Sequence, residues 1–238
     1  MADGEQYDVG IPFEYERKFL VRELPLDVLA HGTRQLIVQS YVFAEGGYAI
    51  RVRITFTDVD IDLPRFDEPV DRVGAYERRV LARLLAQLAD DAEINDGARS
   101  DDGEHAGTAH AQALMAVKSP AINGERYELE TELDLDVATQ ILQRSKNLIF
   151  KQRYSLWINE DGWEFDVFGG ENRGLIVAEC ERLTPVVDLE IPDFCVTEVT
   201  ADPRFTNDSL SKEPWSQWDT LYGAELAAKG PFFLNLKR

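Results

Sequence analysis

Apolar and polar positions alternate with a period of two along most of the chain, and this pattern predicts β-strands. Successive side chains of a strand point to opposite faces of its sheet, so each run has an apolar face and a polar face. The runs cover residues 11–22, 35–44, 48–57, 112–119, 125–134, 148–159, 162–168 and 174–183. Short Gly- and Asn-containing segments such as Ala44 to Gly47 and Asn159 to Gly162 join several neighbouring runs and indicate tight turns. The sheet is therefore expected to be mainly antiparallel.

Other segments carry helical patterns. The predicted helices are Pro25–Gly32, Asp71–Leu88, Val137–Lys146 with Asp136 as its cap, and pieces of Asn207–Gly230 that are broken at Pro214. The stretch from Asp90 to His110 is rich in Asp, Ala and Gly, so it is expected to be a mobile acidic loop.

Charged residues two positions apart recur in six of these stretches. They are Glu14, Glu16 and Lys18; Arg51 and Arg53; Arg126, Glu128, Glu130 and Glu132; Lys151 and Arg153; Glu164 and Asp166; and Glu179 and Glu181. A single pair of this kind is typical of a solvated strand face or a cross-strand ion pair. For Glu132, at the end of its run, and Glu164, near a turn, a solvent-facing position stays open as the alternative. Six together, with cations and acids on different strands, predict a closed sheet whose charged faces share one interior.

This set of charges suits one kind of ligand. Arginine forks and lysine ammonium groups bind phosphate oxygens, whereas carboxylates repel a polyanion unless a divalent cation lies between them. Mg²⁺ and Mn²⁺ prefer oxygen ligands. The interior, which also includes Lys118, is therefore predicted to hold a metal-bridged oligophosphate, as in phosphoryl transfer. Unpaired buried ions are costly, so it should be wide and wet or filled by ligand.

Composition narrows the class of protein. The chain has 238 residues and 44% apolar content, enough for a core. No apolar run approaches the roughly 18 residues of a membrane span, and the start MADGEQYD lacks signal-peptide features, so a cytoplasmic location is expected. The net charge of -19 argues against a nucleic-acid surface.

The remaining reactive or aromatic side chains indicate no competing site. Cys180 and Cys195 are expected to be free and buried. His31, His105 and His110 form no metal-binding or nucleophile–base pattern, and the four tryptophans, Trp157, Trp163, Trp215 and Trp218, are expected to pack in the structure.

Several of these motifs, in order, resemble those of one family. Glu14 to Lys18 resembles the ExExK signature of the CYTH superfamily, the triphosphate tunnel metalloenzymes. The other matching segments are Arg51-Val52-Arg53 (RxR), Lys118 (a lone lysine), Arg126 to Glu130 (RxExE), Lys151 to Tyr154 (KxRY), Glu164 to Phe168 (ExDxF), Glu179 to Glu181 (ExE) and Val199 to Phe205 (VTxDxRY).

The resemblance implies an α+β fold: an eight-stranded antiparallel β-barrel, or triphosphate tunnel, with a charged interior and helices packed outside. It implies one CYTH domain over residues 1–238, with a helical and acidic-loop insertion at about 58–112 that either covers the tunnel mouth or has no role there. The implied activity is hydrolysis of a triphosphate with Mg²⁺ or Mn²⁺. Inorganic tripolyphosphate is favoured because the segment ERKFLV is similar to small bacterial triphosphatases.

Residue roles follow from the same resemblance. The implied metal ligands are Glu14, Glu16, Asp166, Glu179 and Glu181, with Glu128 and Glu130 as further candidates. The implied phosphate ligands are Lys18, Arg51, Arg53, Lys118, Arg126, Lys151 and Arg153. Lys151, Glu179 and Glu181 are the implied catalytic residues. Lys151 can act as a base on water only if neighbouring cations lower its pKa; activation of water by the metal is the rival route.

Two other functions are left open. A class IV adenylyl cyclase would use the same tunnel, but it needs a base pocket that the sequence does not identify. A non-catalytic polyphosphate or nucleotide sensor would bind without turnover. The expected partner is a small-molecule triphosphate, such as tripolyphosphate or a nucleoside or thiamine triphosphate. No DNA or membrane partner is expected, and a homodimer is left open.

Overall fold

The computed structural model describes residues 13–59, 75–97, 109–122 and 125–235. In these ranges the strands are β1 (Phe13–Val21), β2 (Thr33–Glu45), β3 (Tyr48–Thr57), β4 (His110–Lys118), β5 (Glu125–Glu132), β6 (Leu148–Ile158), β7 (Asp161–Phe168), β8 (Ile176–Arg182) and β9 (Cys195–Glu198). The helices are α1 (Leu26–His31), α2 (Ala75–Gly97), α3 (Leu135–Arg144), α4 (Asn207–Lys212) and α5 (Asp219–Lys229). Short 3₁₀ turns lie at Gly170–Asn172, Pro203–Phe205 and Trp215–Gln217.

Eight strands close into a barrel. Their order is β5-β4-β3-β2-β6-β7-β8-β1, and β1 pairs back onto β5 through Phe13↔Tyr127 and Glu14↔Arg126. Every pairing is antiparallel. The predicted eight-stranded antiparallel barrel is thus confirmed. A ninth strand, β9, pairs with the far end of β1 at Phe19–Val21; this strand was not predicted, because four residues are too few to establish an alternating pattern.

Helices cover the apolar outer faces of the barrel. Tyr76, Val80, Leu81 and Leu84 of α2 pack with α3 against the outward side chains of β2, β3 and β4. Helices α4 and α5 close one end, where Leu210 and Tyr222 join the inward-facing Ile149, Phe168 and Val177. Burial of this apolar area is the main force that holds the helices to the sheet.

Two predicted helix boundaries were wrong. Helix α2 continues to Gly97, so the first part of the predicted acidic loop is helical. The cause is that adding residues to an existing helix is easier than starting a new one, even where Asp and Asn are weak helix formers. Residues 98–108 of that loop, including His105, lie outside the described residues. Helix α3 begins at Leu135, and Asp134 rather than Asp136 caps it by accepting a hydrogen bond from the Val137 amide.

The predictions for the cysteines were confirmed, whereas one of those for the tryptophans was wrong. Cys180 and Cys195 are buried free thiols, as expected, and burial raises the pKa of each to about 12. Trp163 is in the core, but Trp157 is 74% exposed, so its assignment as a packing residue was wrong. None of the helices within the described ranges has the length and hydropathy needed to cross a bilayer.

Helix α2 docks on the barrel through a buried acid that makes stability depend on pH. Glu77 is 3% exposed, and its carboxylate lies so close to Gly170 (φ +60°) that a Cβ there would come within 1.9 Å of it. Burial raises the pKa of Glu77 to about 7, and the charge of Glu171 adds to this while Arg78 opposes it. In the unfolded chain a glutamate ionises near its ordinary value of 4.5, so ionisation favours the unfolded state as the pH rises from there to 7.

We therefore expect Glu77→Gln to remove a pH-dependent loss of stability. At about 1.4 kcal/mol per pKa unit, the free energy of unfolding of the variant relative to wild type should rise by about 3 kcal/mol between pH 4.5 and pH 8. Urea unfolding at both pH values measures this, with Glu23→Gln, a change at an exposed glutamate far from Glu77 in sequence, as the matched control. An identical pH dependence in Glu77→Gln and wild type would show that Glu77 is not protonated in the folded state.

Candidate active site

The alternating charges face the inside of the barrel. Cross-strand register places Arg153 opposite Asp166, Lys18 opposite Glu179 and Lys118 opposite Glu128, and directly opposite residues share a face of the sheet. Because side chains alternate along each strand, the rest of each charged row follows. The residues that the barrel brings together in its lumen are Glu14, Glu16, Lys18, Arg51, Arg53, Lys118, Arg126, Glu128, Glu130, Lys151, Arg153, Asp166, Glu179 and Glu181.

On one wall, formed by β6, β7 and β8, Arg153 is the central cation. Its guanidinium donates to both oxygens of Asp166 at 2.7 Å and to Glu179 at 3.0 Å, and it also contacts Glu164. Lys151 Nζ contacts Asp166 as well. Lys151 and Asp166 are 2% and 0% exposed. The fork of Arg153 and the ammonium of Lys151 therefore offset the cost of burying Asp166.

On the opposite wall, formed by β3, β4 and β5, Glu128 is the central acid. Arg51 donates to it at 3.0 Å, Arg126 lies 3.2 Å away, and Lys118 also contacts it. Glu130 sits nearer the rim and is shared between Arg51 and Arg53.

Strand β1 joins the two walls. Glu16 lies 3.0 Å from Lys18 and 3.5 Å from Arg126, while Lys18 also binds Glu179 at 2.5 Å. Arg126 donates to Glu14 at 3.0 Å. The ion pairs therefore continue around the lumen, which resolves the expected cost of a charged interior by pairing most of the charges with one another.

Several lumen donors and acceptors nevertheless lack a partner. Among the described residues, the Nε atoms of Arg51 and Arg53 and the Oε1 atom of Gln39 are buried and make no hydrogen bond. Gln39 lies opposite Arg53 on the same inner face. Buried polar groups are rarely left unpaired in a complete site, so this part of the wall has donors available for an anionic ligand.

Burial also changes the ionisation of two lumen lysines. It lowers the pKa of Lys151 to about 8, assisted by the charge of Arg153 and opposed by Asp166 and Glu179. Burial likewise lowers the pKa of Lys118 to about 7, with Arg51 and Arg126 adding to the effect. For Lys151, desolvation contributes more to the lowered pKa than the neighbouring Arg153 does, and with a pKa of about 8 the amine is still mostly protonated at pH 7.

The two ends of the lumen differ. At the end where β8 finishes and β7 begins, the rim carries Glu132, Glu164 and Glu181; we call this the acidic mouth. Glu181 is exposed at the rim and, among the described residues, pairs with no cation. Partial desolvation there, together with the charges of Glu164, Glu16 and Glu179, raises its pKa to about 6. At the other end a cavity of about 430 Å³ lies between α4 and the lumen residues Lys18, Lys118 and Arg126.

A buried network outside the barrel holds Lys18 in place, and sequence reasoning missed it. Arg17 binds Glu198 of β9 through two hydrogen bonds of 2.9 and 2.6 Å, and Thr200 donates to the same carboxylate. The Lys18 amide in turn donates to Thr200 Oγ1 at 3.0 Å. Leu234 of the C-terminal segment also donates to Glu198. The sequence feature that could have revealed this network is Arg17, a charged residue on the otherwise apolar face of the first strand.

Comparison with known proteins identifies the family to which the chain belongs. No protein-family model matches the chain. Over 109 residues, which are 45% of this chain and 70% of the relative, the chain is 36% identical to an inorganic triphosphatase of Acetivibrio thermocellus. The chain belongs to the CYTH superfamily of triphosphate tunnel metalloenzymes. The predicted membership is thereby confirmed, and with it the prediction that the protein is an enzyme.

Solved structures that align with this chain share less of its sequence than that relative does. The inorganic triphosphatase NE1496 is 19% identical, with a TM-score of 0.47 over 83% of this chain and 93% of that one. A conserved hypothetical protein from Pyrococcus furiosus is 15% identical, with a TM-score of 0.39 over 73% of this chain and 80% of that one.

Proposed function

We propose that this CYTH protein is a divalent-metal-dependent triphosphatase that hydrolyses inorganic tripolyphosphate inside its barrel. The observation that carries the proposal is the continuous band of cations and acids around the lumen, with buried arginine donors left over. The family relationship to a protein named inorganic triphosphatase supports the same substrate class. A linear chain of phosphates matches cations that are distributed around a tunnel rather than gathered in one pocket.

The cations would bind the phosphate oxygens. Arg51 and Arg53 have free Nε donors and lie side by side on one face of β3. Opposite them, Lys151 and Arg153 form the second wall. Lys18, Lys118 and Arg126 continue the site toward the cavity below α4. Phosphate would compete with the resident carboxylates for these donors, and each acid so released would become available to a metal ion.

The donor chemistry fits a hard divalent ion. Carboxylate oxygens are the ligands that Mg²⁺ and Mn²⁺ prefer, and Glu16 and Glu181 are direct cross-strand partners beside Glu179. Among the described residues, no three acids are yet close enough together to form a binding set, because most of them pair with lumen cations. We propose Glu16, Glu179 and Glu181 as the first ligands, and Glu14, Asp166, Glu128 and Glu130 as the others that ligand binding would release.

Hydrolysis would break the bond between the terminal phosphorus and its bridging oxygen while a water oxygen bonds to that phosphorus. We propose that Lys151, in its neutral form, takes the proton of the attacking water. When bound, a divalent ion would supply charge neutralisation and an alternative means of acidifying that water. Glu179 and Glu181 would position the water and the ion at the acidic end of the lumen.

Phosphate release tests the proposed function directly. With tripolyphosphate and Mg²⁺ or Mn²⁺, we expect orthophosphate and pyrophosphate as products, with no turnover of pyrophosphate alone. EDTA should abolish activity, and added metal should restore it. ATP should give no cyclic AMP. Formation of cyclic AMP would favour the cyclase, and metal-dependent binding without product would favour the sensor.

A further inference from the structure

Gln39 is a polar side chain in the lumen that belongs to none of the charged rows. It lies on β2 opposite Arg53 of β3 and Ile149 of β6, so it faces the inside of the barrel. It is fully buried, and its amide oxygen Oε1 has no hydrogen-bond partner. Its amide nitrogen donates to the Tyr41 hydroxyl at 3.4 Å. Because a buried acceptor without a donor costs stability, this oxygen points to a functional role.

The strand register places Gln39 between the proposed base and the proposed phosphate ligands. Lys151 is its diagonal neighbour across the β2–β6 pair. Arg53 and Arg51 are its direct and diagonal neighbours across the β2–β3 pair, and both have a free Nε donor. Diagonal neighbours on facing strands lie within reach of long side chains. A small molecule beside Gln39 would therefore meet Lys151 on one side and the arginines on the other.

The amide oxygen of Gln39 differs from the other acceptors of the barrel wall. In the part of the chain that the structure describes, the strands hold one other buried side-chain acceptor without a partner, the Ser40 hydroxyl, and it lies on the outer face. Carboxylates such as those of Asp166 and Glu130 pair with lumen cations. A neutral amide oxygen accepts a hydrogen bond without placing a negative charge beside the phosphates. It therefore suits water better than it suits a phosphate oxygen.

We propose that Gln39 Oε1 positions the water that attacks the terminal phosphorus. An attacking water points a lone pair at the phosphorus, so both of its O–H bonds must point away. The proposed base Lys151 takes one proton, and Gln39 Oε1 accepts a hydrogen bond from the other O–H. A glutamine side chain orients the attacking water in the same way in GTP-hydrolysing proteins.

The step balances without a further reactant. As the bond between the water oxygen and the phosphorus forms, the bond from phosphorus to the bridging oxygen breaks, and its electron pair leaves with pyrophosphate. The second water proton stays on the new orthophosphate oxygen. The inference rests on the proposed function, since it adds a water-positioning residue to the same reaction.

Gln39→Met tests the proposal, because methionine fills a similar volume but has no amide. In phosphate-release assays with tripolyphosphate, kcat should fall roughly 10- to 100-fold, as expected for a nucleophile that is no longer held in place. KM, and the affinity for a non-hydrolysable tripolyphosphate analogue measured by calorimetry, should stay within about twofold of wild type. Gln143→Met, at an exposed glutamine of α3, is the matched control and should change nothing.

Two further measurements check that the loss comes from the missing acceptor. Gln39→Glu keeps an acceptor at this position, so its kcat should stay closer to wild type, while its negative charge should raise KM. Gln39→Met removes a buried acceptor that has no partner, so its urea midpoint should be no lower than that of wild type. A kcat in Gln39→Glu as low as in Gln39→Met would overturn the proposal.

The rival role for Gln39 is donation to phosphate, with the amide turned by half a turn so that its nitrogen faces the lumen. That role predicts a raised KM and weaker analogue binding in Gln39→Met, with kcat unchanged. Either this result or wild-type kinetics in the variant would refute the water-positioning role while leaving the proposed function intact. Wild-type protein that hydrolyses no triphosphate would refute the proposed function, and this inference with it.

Discussion

Arg51→Ala should lower kcat/KM for tripolyphosphate by about 100- to 1,000-fold, as expected for the loss of one preorganised electrostatic contact to a reacting phosphate. Arg51 is buried in the lumen wall, contacts Glu128 and Glu130, and has an Nε donor without a partner. In the variant, Glu128 still forms ion pairs with Lys118 and Arg126, so the barrel should stay folded. Steady-state phosphate release gives the rate, and circular dichroism checks the fold.

A conservative variant and a control variant show whether the loss of activity comes from the donor geometry of Arg51. Arg51→Lys keeps the charge but loses the fork of donors, so it should be intermediate. Arg144→Ala removes an exposed arginine of α3 whose hydrogen bonds, within the described part of the chain, go to Gln140 of the same helix, and this variant should retain full activity. Full activity in folded Arg51→Ala would refute the phosphate role of the β3 arginines.

Asp166→Ala should have the largest effect on stability. Asp166 is fully buried and balances both Lys151 and Arg153. Its removal leaves those charges with Glu164 and Glu179 as their acidic contacts, and breaking a buried ion pair on one side costs about 3–5 kcal/mol. Urea unfolding at pH 7 measures the loss.

The pH dependence of this loss has a definite sign. Arg153 and Lys151 hold the pKa of Asp166 below its ordinary value, against the effect of burial. Its contribution to stability is therefore complete above the unfolded pKa of about 4 and is lost as the pH falls below it. Asp188→Ala removes an exposed partner of Arg182 and should cause no measurable change. A loss no larger than this control would mean that the lumen does not depend on Asp166 for charge balance.

The inward-facing charges could be predicted from the sequence because the period of a strand is two. Glu179 and Glu181 must share a face wherever that strand lies, and so must Arg51 and Arg53. The order of the motifs then indicated the barrel. Strand pairing itself could not be predicted from period alone, and neither could the pairing of nearly every lumen acid with a cation, since both depend on register between strands far apart in sequence.

The errors have similar physical causes. The part of α2 beyond Leu88 has few large apolar residues and several weak helix formers, so its pattern did not predict a helix. It is helical because it extends a helix that has already formed. Strand β9 was too short to recognise, so its Glu198, the partner of Arg17, was missed as well. Trp157 was assigned to packing because tryptophan is usually buried; its exposure is evident only once the hairpin places Gly162 opposite it.

The central claim is that a triphosphate and its metal ion bind together inside the lumen. A crystal structure with Mn²⁺ and a non-hydrolysable tripolyphosphate analogue tests it most directly. We expect an anomalous manganese peak at about 2.0–2.2 Å from carboxylate oxygens of Glu16, Glu179 or Glu181, as for small octahedral divalent ions, with phosphate oxygens on Arg51, Arg53 and Arg153. Analogue and metal bound on the outer surface, with the ion pairs of the lumen intact, would contradict the claim.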